Sequence, residues 1–193
     1  MKPISKSEIK RQALVKATQC LVNNNGFHAT PMSKIAKMAG VSPATIYLYF
    51  ENKQDLVNKV YLEVKAAYTN FAFKEYNTKM TVQEGFESIW KGIAHFKLNH
   101  LEQAIFLAQC DSTPIIDENS RKEGIKHLQP LLDLWQRGKD EGIIKPICNY
   151  MLYAYTVNPL SFLLTMQQRG VFCLEDKHIQ EAFEAAWDSI KSE

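Results

Sequence analysis

Apolar residues recur along this chain at helical spacing, three or four positions apart, and polar residues fill the positions between them. Outside the stretch from residue 30 to 53, the segments with this period are residues 5–24, 53–76, 82–96, 101–108, 117–139, 147–166 and 175–190. Residues 81–193 contain no strand-like alternation, internal repeat or low-complexity linker. The pattern predicts an all-α protein of about nine helices, two of them short and lying before residue 53.

Each of the two short helices is introduced by a hydroxyl residue and a proline, Thr30-Pro31 and Ser42-Pro43. A hydroxyl oxygen can accept a hydrogen bond from a free N–H at a helix start, and proline is favoured at the first helical position. Gly40 can adopt the left-handed conformation that ends the first short helix. This plan predicts a helix-turn-helix, whose second helix enters the DNA major groove.

The second short helix is expected to present one face to the protein and one to DNA. At about 100° per residue, Ile46 and Phe50 share a face that should be buried, with Pro43 near it. Ala44 and Leu48 lie opposite, where small and aliphatic side chains can touch thymine methyl groups.

The run from Ile35 to Lys53, IAKMAGVSPATIYLYFENK, resembles the DNA-binding signature of the TetR/AcrR family of one-component bacterial repressors. The match covers about the first 55 residues, and beyond residue 60 the resemblance is one of length and helical layout. In that family the residues at Ser42, the next three positions, Tyr47, Tyr49 and Lys53 commonly meet DNA. Many members have glycine at the position of Ala44.

The predicted DNA contacts are of two kinds, contacts to base edges and contacts to backbone phosphates. The predicted base contacts are Pro43, Ala44, Thr45 and Tyr47. The predicted phosphate contacts are Thr30, Ser33, Lys34, Ser42, Tyr49 and Lys53. Lys53 opens the next helix, where its ammonium group and the helix N-terminus could share one phosphate.

Charge is distributed in favour of DNA binding at the N-terminal end. The net charge of the 193 residues is only +2, but residues 1–60 have nine Lys and Arg against three Asp and Glu, and residues 61–193 have fourteen against eighteen. The hydrophobic fraction of 46% is sufficient for a core. We therefore predict a DNA-binding domain over residues 1–53 and an effector-binding and dimerisation domain over residues 54–193.

The second domain is rich in aromatic and sulfur side chains that could leave an apolar cavity between helices. The predicted pocket residues are Tyr68, Phe71, Phe86, Trp90, Phe106, Cys110 and Trp135. Gln103, Gln109 and Asp111 are candidate polar contacts in the same region. A hydrophobic core is the alternative interpretation of every one of these aromatic residues. The resemblance implies an effector that releases the protein from DNA, and aromatic walls favour an apolar or cationic aromatic molecule.

Two segments near the C-terminus predict a homodimer. Residues 147–166 are apolar on almost every side, and the last helix has a second apolar stripe. Together, residues 147–190 from two copies could form a four-helix seam. A two-fold dimer also suits a palindromic operator, because helix-turn-helix proteins read half-sites about 34 Å apart.

Other chemistries lack a sequence signature. The four cysteines form no C-x-x-C pair, the five histidines form no H-x-x-x-H pair, and no glycine-rich phosphate loop occurs. We therefore expect neither enzyme activity nor a metal or cofactor. A redox sensor in which two of the cysteines form a disulfide is the alternative. No apolar run approaches the roughly 20 residues of a membrane span, and the N-terminus lacks the apolar core of a signal peptide, so we expect a cytoplasmic protein without membrane contact.

The sequence leaves three functional hypotheses. The first is a dimeric repressor that a small molecule releases from its operator, with an efflux system as one candidate target and fatty-acid or metabolite control as another. The second is a sequence-tolerant architectural DNA-binding protein without an effector. The third is a small-molecule-binding or catalytic helical protein that does not use its helix-turn-helix.

Overall fold

The computed structural model describes residues 5–193, and within them the predicted all-α class is confirmed. The helices are α1 (Lys6–Asn25), α2 (Met32–Met38), α3 (Pro43–Ile46), α4 (Lys53–Ala72), α5 (Val82–Asn99), α6 (Leu101–Ser112), α7 (Glu118–Lys126), α8 (Gln129–Asp140), α9 (Asn149–Thr156), α10 (Asn158–Gln168) and α11 (Asp176–Ile190). Apart from one isolated antiparallel bridge between Ile144 and Lys191, no extended pairing occurs in the described part of the chain. None of its helices is long and apolar enough to cross a membrane.

The described residues form eleven helices where the sequence predicted about nine, and two prolines explain the difference. Pro130 and Pro159 both lie in the first turn of a helix, α8 and α10 respectively. A proline there lacks only an N–H that would have no partner inside the helix, so it starts a helix more readily than it bends one. The helix expected over residues 117–139, bent or restarted near Pro130, is therefore two helices. The helix expected over residues 147–166, with a kink at Pro159, is two helices as well.

The chain divides into two compact units. The first unit comprises the residues up to Lys65 together with the later segment Glu102–Gly124. The second unit comprises Ala66–Leu101 and Ile125–Glu193. Helix α4 contributes residues to both units, and it ends at Ala72, four residues before the predicted end at Tyr76. Residues 73–76 continue it only as turns, with Tyr76 N–H donating to the Phe73 carbonyl at 3.1 Å.

The core of the first unit closes around α1 to α4. Leu14, Ile35, Ile46 and Leu56 are fully buried, one from each helix. Ile9, in the first turns of α1, lies outside this core and is 56% exposed. The segment Glu102–Gly124 joins the unit through polar contacts. The amide nitrogen of Asn23 donates to the Glu102 carbonyl at 2.8 Å, and that of Gln54 donates to the Ile115 carbonyl at 2.7 Å.

In the second unit, α5 packs against α8, α10 and α11, and α9 packs against α10 and α11. Aromatic rings fill the contact of α5 with α11. The ring centres of Phe86 and Trp187 are 5.8 Å apart, and those of Trp90 and Phe183 are also 5.8 Å apart. The Trp90 indole N–H donates to the Thr156 carbonyl at 2.9 Å, which satisfies its polar atom inside the core.

Candidate nucleic-acid interface

The turn between α2 and α3 is built as the sequence predicts. Gly40 has φ +67°, the left-handed region that side chains other than glycine rarely adopt. Ser42 is the N-cap of α3, and its Oγ accepts a hydrogen bond from Thr45 N–H at 3.2 Å. Pro43 follows in the first turn. These residues fix where α3 begins and in which direction it leaves the turn.

Helix α3 is much shorter than a typical recognition helix, since only Pro43–Ile46 have regular α-helical hydrogen bonding. The following residues continue its path as turns: Leu48 N–H donates to the Thr45 carbonyl at 3.1 Å, and Phe50 N–H donates to the Ile46 carbonyl at 3.1 Å. The side chains of Ile46 and Phe50 are buried and attach the segment to the bundle at both ends. Burial at positions 46 and 50 is the periodicity that the sequence predicted.

The opposite side of this segment faces outward. Pro43 and Ala44 are exposed, Tyr47 is 57% exposed and Leu48 is 81% exposed. Pro43 is therefore exposed, although its angle on the helix is closer to Ile46 and Phe50 than to Ala44 and Leu48. Thr45 is half-buried, and its Oγ1 lies 2.8 Å from Ser42 Oγ, so the two hydroxyl groups are hydrogen-bonded to each other.

Among the predicted phosphate holders, Ser33 and Lys34 are exposed on α2, and Ser42 is exposed at the cap of α3. Tyr49 is half-buried, and its hydroxyl lies 3.1 Å from Ser7 Oγ on α1. This contact joins the end of the recognition segment to the first helix. Sequence reasoning did not select Ser7, and no local pattern distinguishes it from other serines.

Thr30 lies in the interior, which contradicts its predicted role as a helix cap. Its side chain is 1% exposed, and its Oγ1 donates to the Gly26 carbonyl at 2.9 Å and also approaches the Leu21 carbonyl. The N-cap of α2 is Pro31, without a side-chain hydrogen bond, so Pro31 precedes the helix and is not its first residue. Thr30 thus donates its hydroxyl hydrogen to carbonyl groups at the end of α1.

Lys53 is the first residue of α4, and its ammonium group is held by the connector between α1 and α2. The Nζ atom lies 4.2 Å from the centre of the Phe27 ring and 3.4 Å from the His28 carbonyl oxygen. Partial burial lowers the pKa of Lys53 from its ordinary value. At the start of the same helix, Asn52 Oδ1 accepts a hydrogen bond from Asp55 N–H at 2.9 Å and so caps the helix.

Arg11 and Lys59 of the same unit are already paired with carboxylates. Arg11 forms a two-nitrogen ion pair with Glu63, and this hydrogen bonding raises the pKa of the guanidinium group. Lys59 lies 2.9 Å from Asp55 Oδ2. Part of the positive charge counted in the first 60 residues is therefore neutralised within the protein.

The predicted effector residues fall into both compact units. Phe106 and Cys110 belong to the first, while Tyr68, Phe71, Phe86, Trp90 and Trp135 belong to the second. All of them are buried except Phe71, which is 39% exposed. Phe86 and Trp90 pack into the contact between α5 and α11. Tyr68 and Phe71 both pack edge-on against Phe96, with ring centres 5.2 and 5.8 Å from its ring centre. The buried indole N–H of Trp135 has no hydrogen-bond partner among the described residues.

An open groove of about 440 Å³ lies elsewhere in the second unit, where the end of α4 meets α5. Phe71, Ala72 and Gly92 line its apolar part, and Lys74 and His95 contribute polar groups. Phe71 is the one predicted effector residue that borders it. Of the candidate polar contacts, Gln109 donates instead to the Asn23 carbonyl at 3.2 Å, within the first unit.

The cysteines differ strongly in accessibility. Cys110 is fully buried, and burial raises the pKa of its thiol to about 12. Cys148 and Cys173 are exposed and Cys20 is half-buried, all as free thiols. A thiol with a pKa near 12 is almost entirely protonated at neutral pH, so Cys110 is unsuited to redox sensing.

The predicted dimer segment splits into an outward and an inward part. Large apolar side chains are exposed on α9 and α10: Tyr150 at 83%, Met151 at 42%, Tyr155 at 52% and Phe162 at 64%. The apolar stripe of α11 is buried instead against α5 and α9 of its own chain, at Ile179, Phe183, Ala186, Trp187 and Ile190. The sequence could not show this, because an apolar stripe looks the same whether it faces the protomer or a partner.

Comparison with known proteins agrees with this geometry. Residues 14–60 match the family model for bacterial regulatory proteins of the tetR family, and residues 81–191 match the model for a tetracyclin repressor-like C-terminal domain. A crystal structure of a TetR family transcription regulator from Marinobacter aquaeolei superposes with a TM-score of 0.90 at 28% identity, covering 96% of this chain and 97% of that one.

Two curated relatives show the same relationship. A helix-turn-helix transcriptional regulator from Haemophilus influenzae is 24% identical over 187 residues, which cover 97% of this chain and 98% of that protein. The fatty acid metabolism regulator protein of Bacillus subtilis is 35% identical over 75 residues, and that match spans 39% of the length of each. The chain therefore belongs to the TetR family of transcriptional regulators, and it is a DNA-binding regulator and not an enzyme.

Proposed function

We propose that the protein is a homodimeric repressor that binds an inverted-repeat operator and leaves it when a small effector binds. The observation that carries this proposal is the segment Pro43–Leu48, which has an outward face of apolar and hydroxyl groups and is anchored from behind by Ile46 and Phe50. A rigid backbone with exposed side chains is what a major-groove reader requires.

Within this interface, base reading falls to Ala44, Thr45 and Tyr47, with Pro43 beside them. Tyr47 is the largest exposed polar group of the set, and the Ser42–Thr45 hydroxyl contact fixes the rotamers of both residues. Phosphate binding falls to Ser33, Lys34, Ser42, Tyr49 and Lys53. Thr30 no longer belongs to this group, since its hydroxyl is buried and bonded to carbonyl oxygens.

The dimer interface that we propose is the outward apolar surface of α9 and α10, defined by Tyr150, Met151, Tyr155 and Phe162. Met151 and Tyr155 are four positions apart and share one side of α9, and Phe162 is exposed on α10, the helix that packs against α9. Contiguous apolar surface on a soluble protein indicates a protein contact. Residues 147–168 would therefore supply the contact, while α11 would support α9 from inside the protomer.

The effector site is proposed to lie in the second unit, near the buried aromatic side chains. Trp135 supports this placement, because a buried N–H without an acceptor is unfavourable and a carbonyl or carboxylate oxygen of a ligand would satisfy it. A ligand can release DNA only if it binds the DNA-incompetent arrangement more tightly. Helix α4 is the route that we propose for this coupling, since the same helix supplies Lys53 and Tyr68.

An apolar or cationic aromatic effector, with an efflux system as the target, is our first candidate. An acyl compound is the second, because a relative at 35% identity is a fatty acid metabolism regulator. Thermal shift of the purified protein with ethidium and with palmitoyl-coenzyme A separates the two, since a ligand that binds the folded state raises its melting temperature.

Selection of bound sequences from a random duplex library tests the DNA-binding function directly. We expect an enriched inverted repeat with half-site centres about ten base pairs apart or a multiple of that distance. Anisotropy titrations of the enriched duplex should also show a steep salt dependence. Salt-sensitive binding without an enriched sequence would instead indicate an architectural DNA-binding protein. Absence of binding at low salt would contradict the proposal altogether.

A further inference from the structure

The ammonium group of Lys53 is held by two independent contacts from one short connector. The Nζ atom stands 4.2 Å above the centre of the Phe27 ring, which is within the range of a cation–π interaction. It also lies 3.4 Å from the carbonyl oxygen of His28, the next residue. A long lysine side chain normally samples many rotamers, so two contacts at its tip define where its charge lies.

These contacts position the charge without cancelling it. Arg11 and Lys59 in the same unit are bound by the carboxylates of Glu63 and Asp55. Within residues 5–193, the contacts of the Lys53 ammonium are an aromatic face and a backbone carbonyl, neither of which has a net charge. Lys53 therefore keeps its full positive charge for a phosphate, next to the N-terminal N–H groups of α4.

The Phe27 ring has a further contact within its own connector. Its side chain is half-buried in the first unit, and its ring meets the imidazole of His28 edge-on, with centres 5.4 Å apart and planes at 81°. A ring that served only to fill the core would be expected to lie under α1 and α2. Here one ring face is directed at the lysine that opens α4.

We propose that Phe27 is a positioning residue for DNA binding, which holds the Lys53 ammonium at the place where it meets a backbone phosphate. The inference rests on the proposed role of Lys53 as a phosphate contact. It assigns part of the DNA affinity to a residue outside the helix-turn-helix that need not touch DNA.

A double-mutant cycle tests this proposal. The four proteins are the unaltered chain, Phe27→Leu, Lys53→Met and the double variant, titrated against the duplex selected from the random library. Phe27→Leu keeps an apolar side chain but removes the ring, and it should weaken binding by about two- to five-fold for each DNA-bound protomer. In the Lys53→Met background the same change should have no effect, because no cation remains to be positioned. Phe27→Tyr should bind as the unaltered protein does.

Two controls make the outcomes separable. Circular dichroism and thermal unfolding establish that each variant is folded, and upfield ring-current shifts of the Lys53 methylene protons report the Phe27 contact in free protein. Equal weakening by Phe27→Leu in both backgrounds would overturn the proposal, since it would mean that Phe27 acts through packing. A ring-current shift in a protein that binds no duplex would contradict the DNA-binding function, and with it any role of Phe27 there.

Discussion

At the scale of residues, the proposed DNA interface contains two kinds of side chain, those expected to read bases and those expected to contact only the phosphate backbone. Thr45 lies on the recognition segment, with its hydroxyl fixed by Ser42 at 2.8 Å. Lys53 lies at the start of α4, held by Phe27 and His28. Sequence-specific contacts require groups that reach base edges, whereas a phosphate contact is the same for every sequence.

Exchanging these two residues for alanine should therefore give different phenotypes. Lys53→Ala is expected to weaken binding to all duplexes alike and to reduce the slope of log K against log salt by about one per protomer, because one phosphate contact is lost. Thr45→Ala should change the preferred base at one position by about 1–3 kcal/mol with an unchanged salt slope. Library selection and salt titrations of both variants provide the measurement. Two variants that lose only non-specific affinity would show that Thr45 does not read bases.

Cys110 gives a second expectation at this scale. Because its thiol is fully buried and has a pKa of about 12, native protein treated with iodoacetamide at pH 8 should be modified at the exposed Cys173 while Cys110 stays unmodified. Peptide mapping by mass spectrometry before and after unfolding in urea measures this directly. Rapid modification of Cys110 in the folded protein would restore it as a candidate redox sensor.

At the scale of elements, the sequence rules for helix caps and turns were reliable where a residue affects only the backbone within a few positions of itself. Ser42, Pro43, Gly40 and Asn52 take the positions that capping and turn chemistry predict. Thr30 shows where such rules fail: its hydroxyl prefers the carbonyl groups at the end of α1, which sequence spacing does not reveal. Likewise, α3 ends at Ile46 although the buried positions 46 and 50 keep the helical period beyond it.

The crossing of α4 and α5 in the second unit is a further element-scale feature. Gly92 of α5 faces the last residue of α4, and a Cβ there would overlap the Ala72 carbonyl oxygen and lie 2.9 Å from its Cα. Those atoms are backbone, so they cannot rotate away as a side chain would. Only glycine lets the two helices approach this closely.

Gly92→Ala is accordingly expected to destabilise the protein by about 1–3 kcal/mol, because the helices must separate. In a helix without neighbours the same change would stabilise by roughly 1 kcal/mol, since alanine is the better helix former. The sign of the change in unfolding free energy, measured in urea, therefore distinguishes a close contact between the two helices from a helix without neighbours. Ser88→Ala, on the same helix and half-buried, is the control and should change stability by less than Gly92→Ala does. A stabilised Gly92→Ala protein would show that α4 and α5 are not in contact there.

At the scale of the whole molecule, the sequence predicted the all-α fold and the helix-turn-helix. It did not predict which apolar helix faces are buried within the protomer and which are exposed. The helical period of α11 was correctly identified, yet its stripe is buried within the protomer, while the neighbouring helices expose theirs. Aromatic composition likewise could not separate a core from a ligand pocket: Phe86 and Trp90 pack against α11. Which apolar residues remain outside depends on how all the helices pack together, and periodicity describes only one helix at a time.

The exposed stripe on α9 and α10 leads to a prediction about assembly. Tyr155→Glu combined with Phe162→Glu should convert a dimer into monomers, because each apolar side chain removed from an interface forfeits about 1.5–3 kcal/mol of burial and the added carboxylates would repel their copies. Both side chains are already more than half exposed in the protomer, so the helical content should be unchanged. Sedimentation equilibrium measures the mass, and circular dichroism measures the fold.

Leu48→Glu is the matched control, since Leu48 is 81% exposed but lies on the recognition segment. It should leave the dimer intact and abolish DNA binding, whereas the double variant should lose affinity for a full inverted repeat and keep the weaker affinity for a single half-site. A double variant that remains dimeric would place the subunit contact outside α9 and α10. Dissociation of the Leu48→Glu protein would mean that any added charge, and not the loss of this surface, separates the subunits.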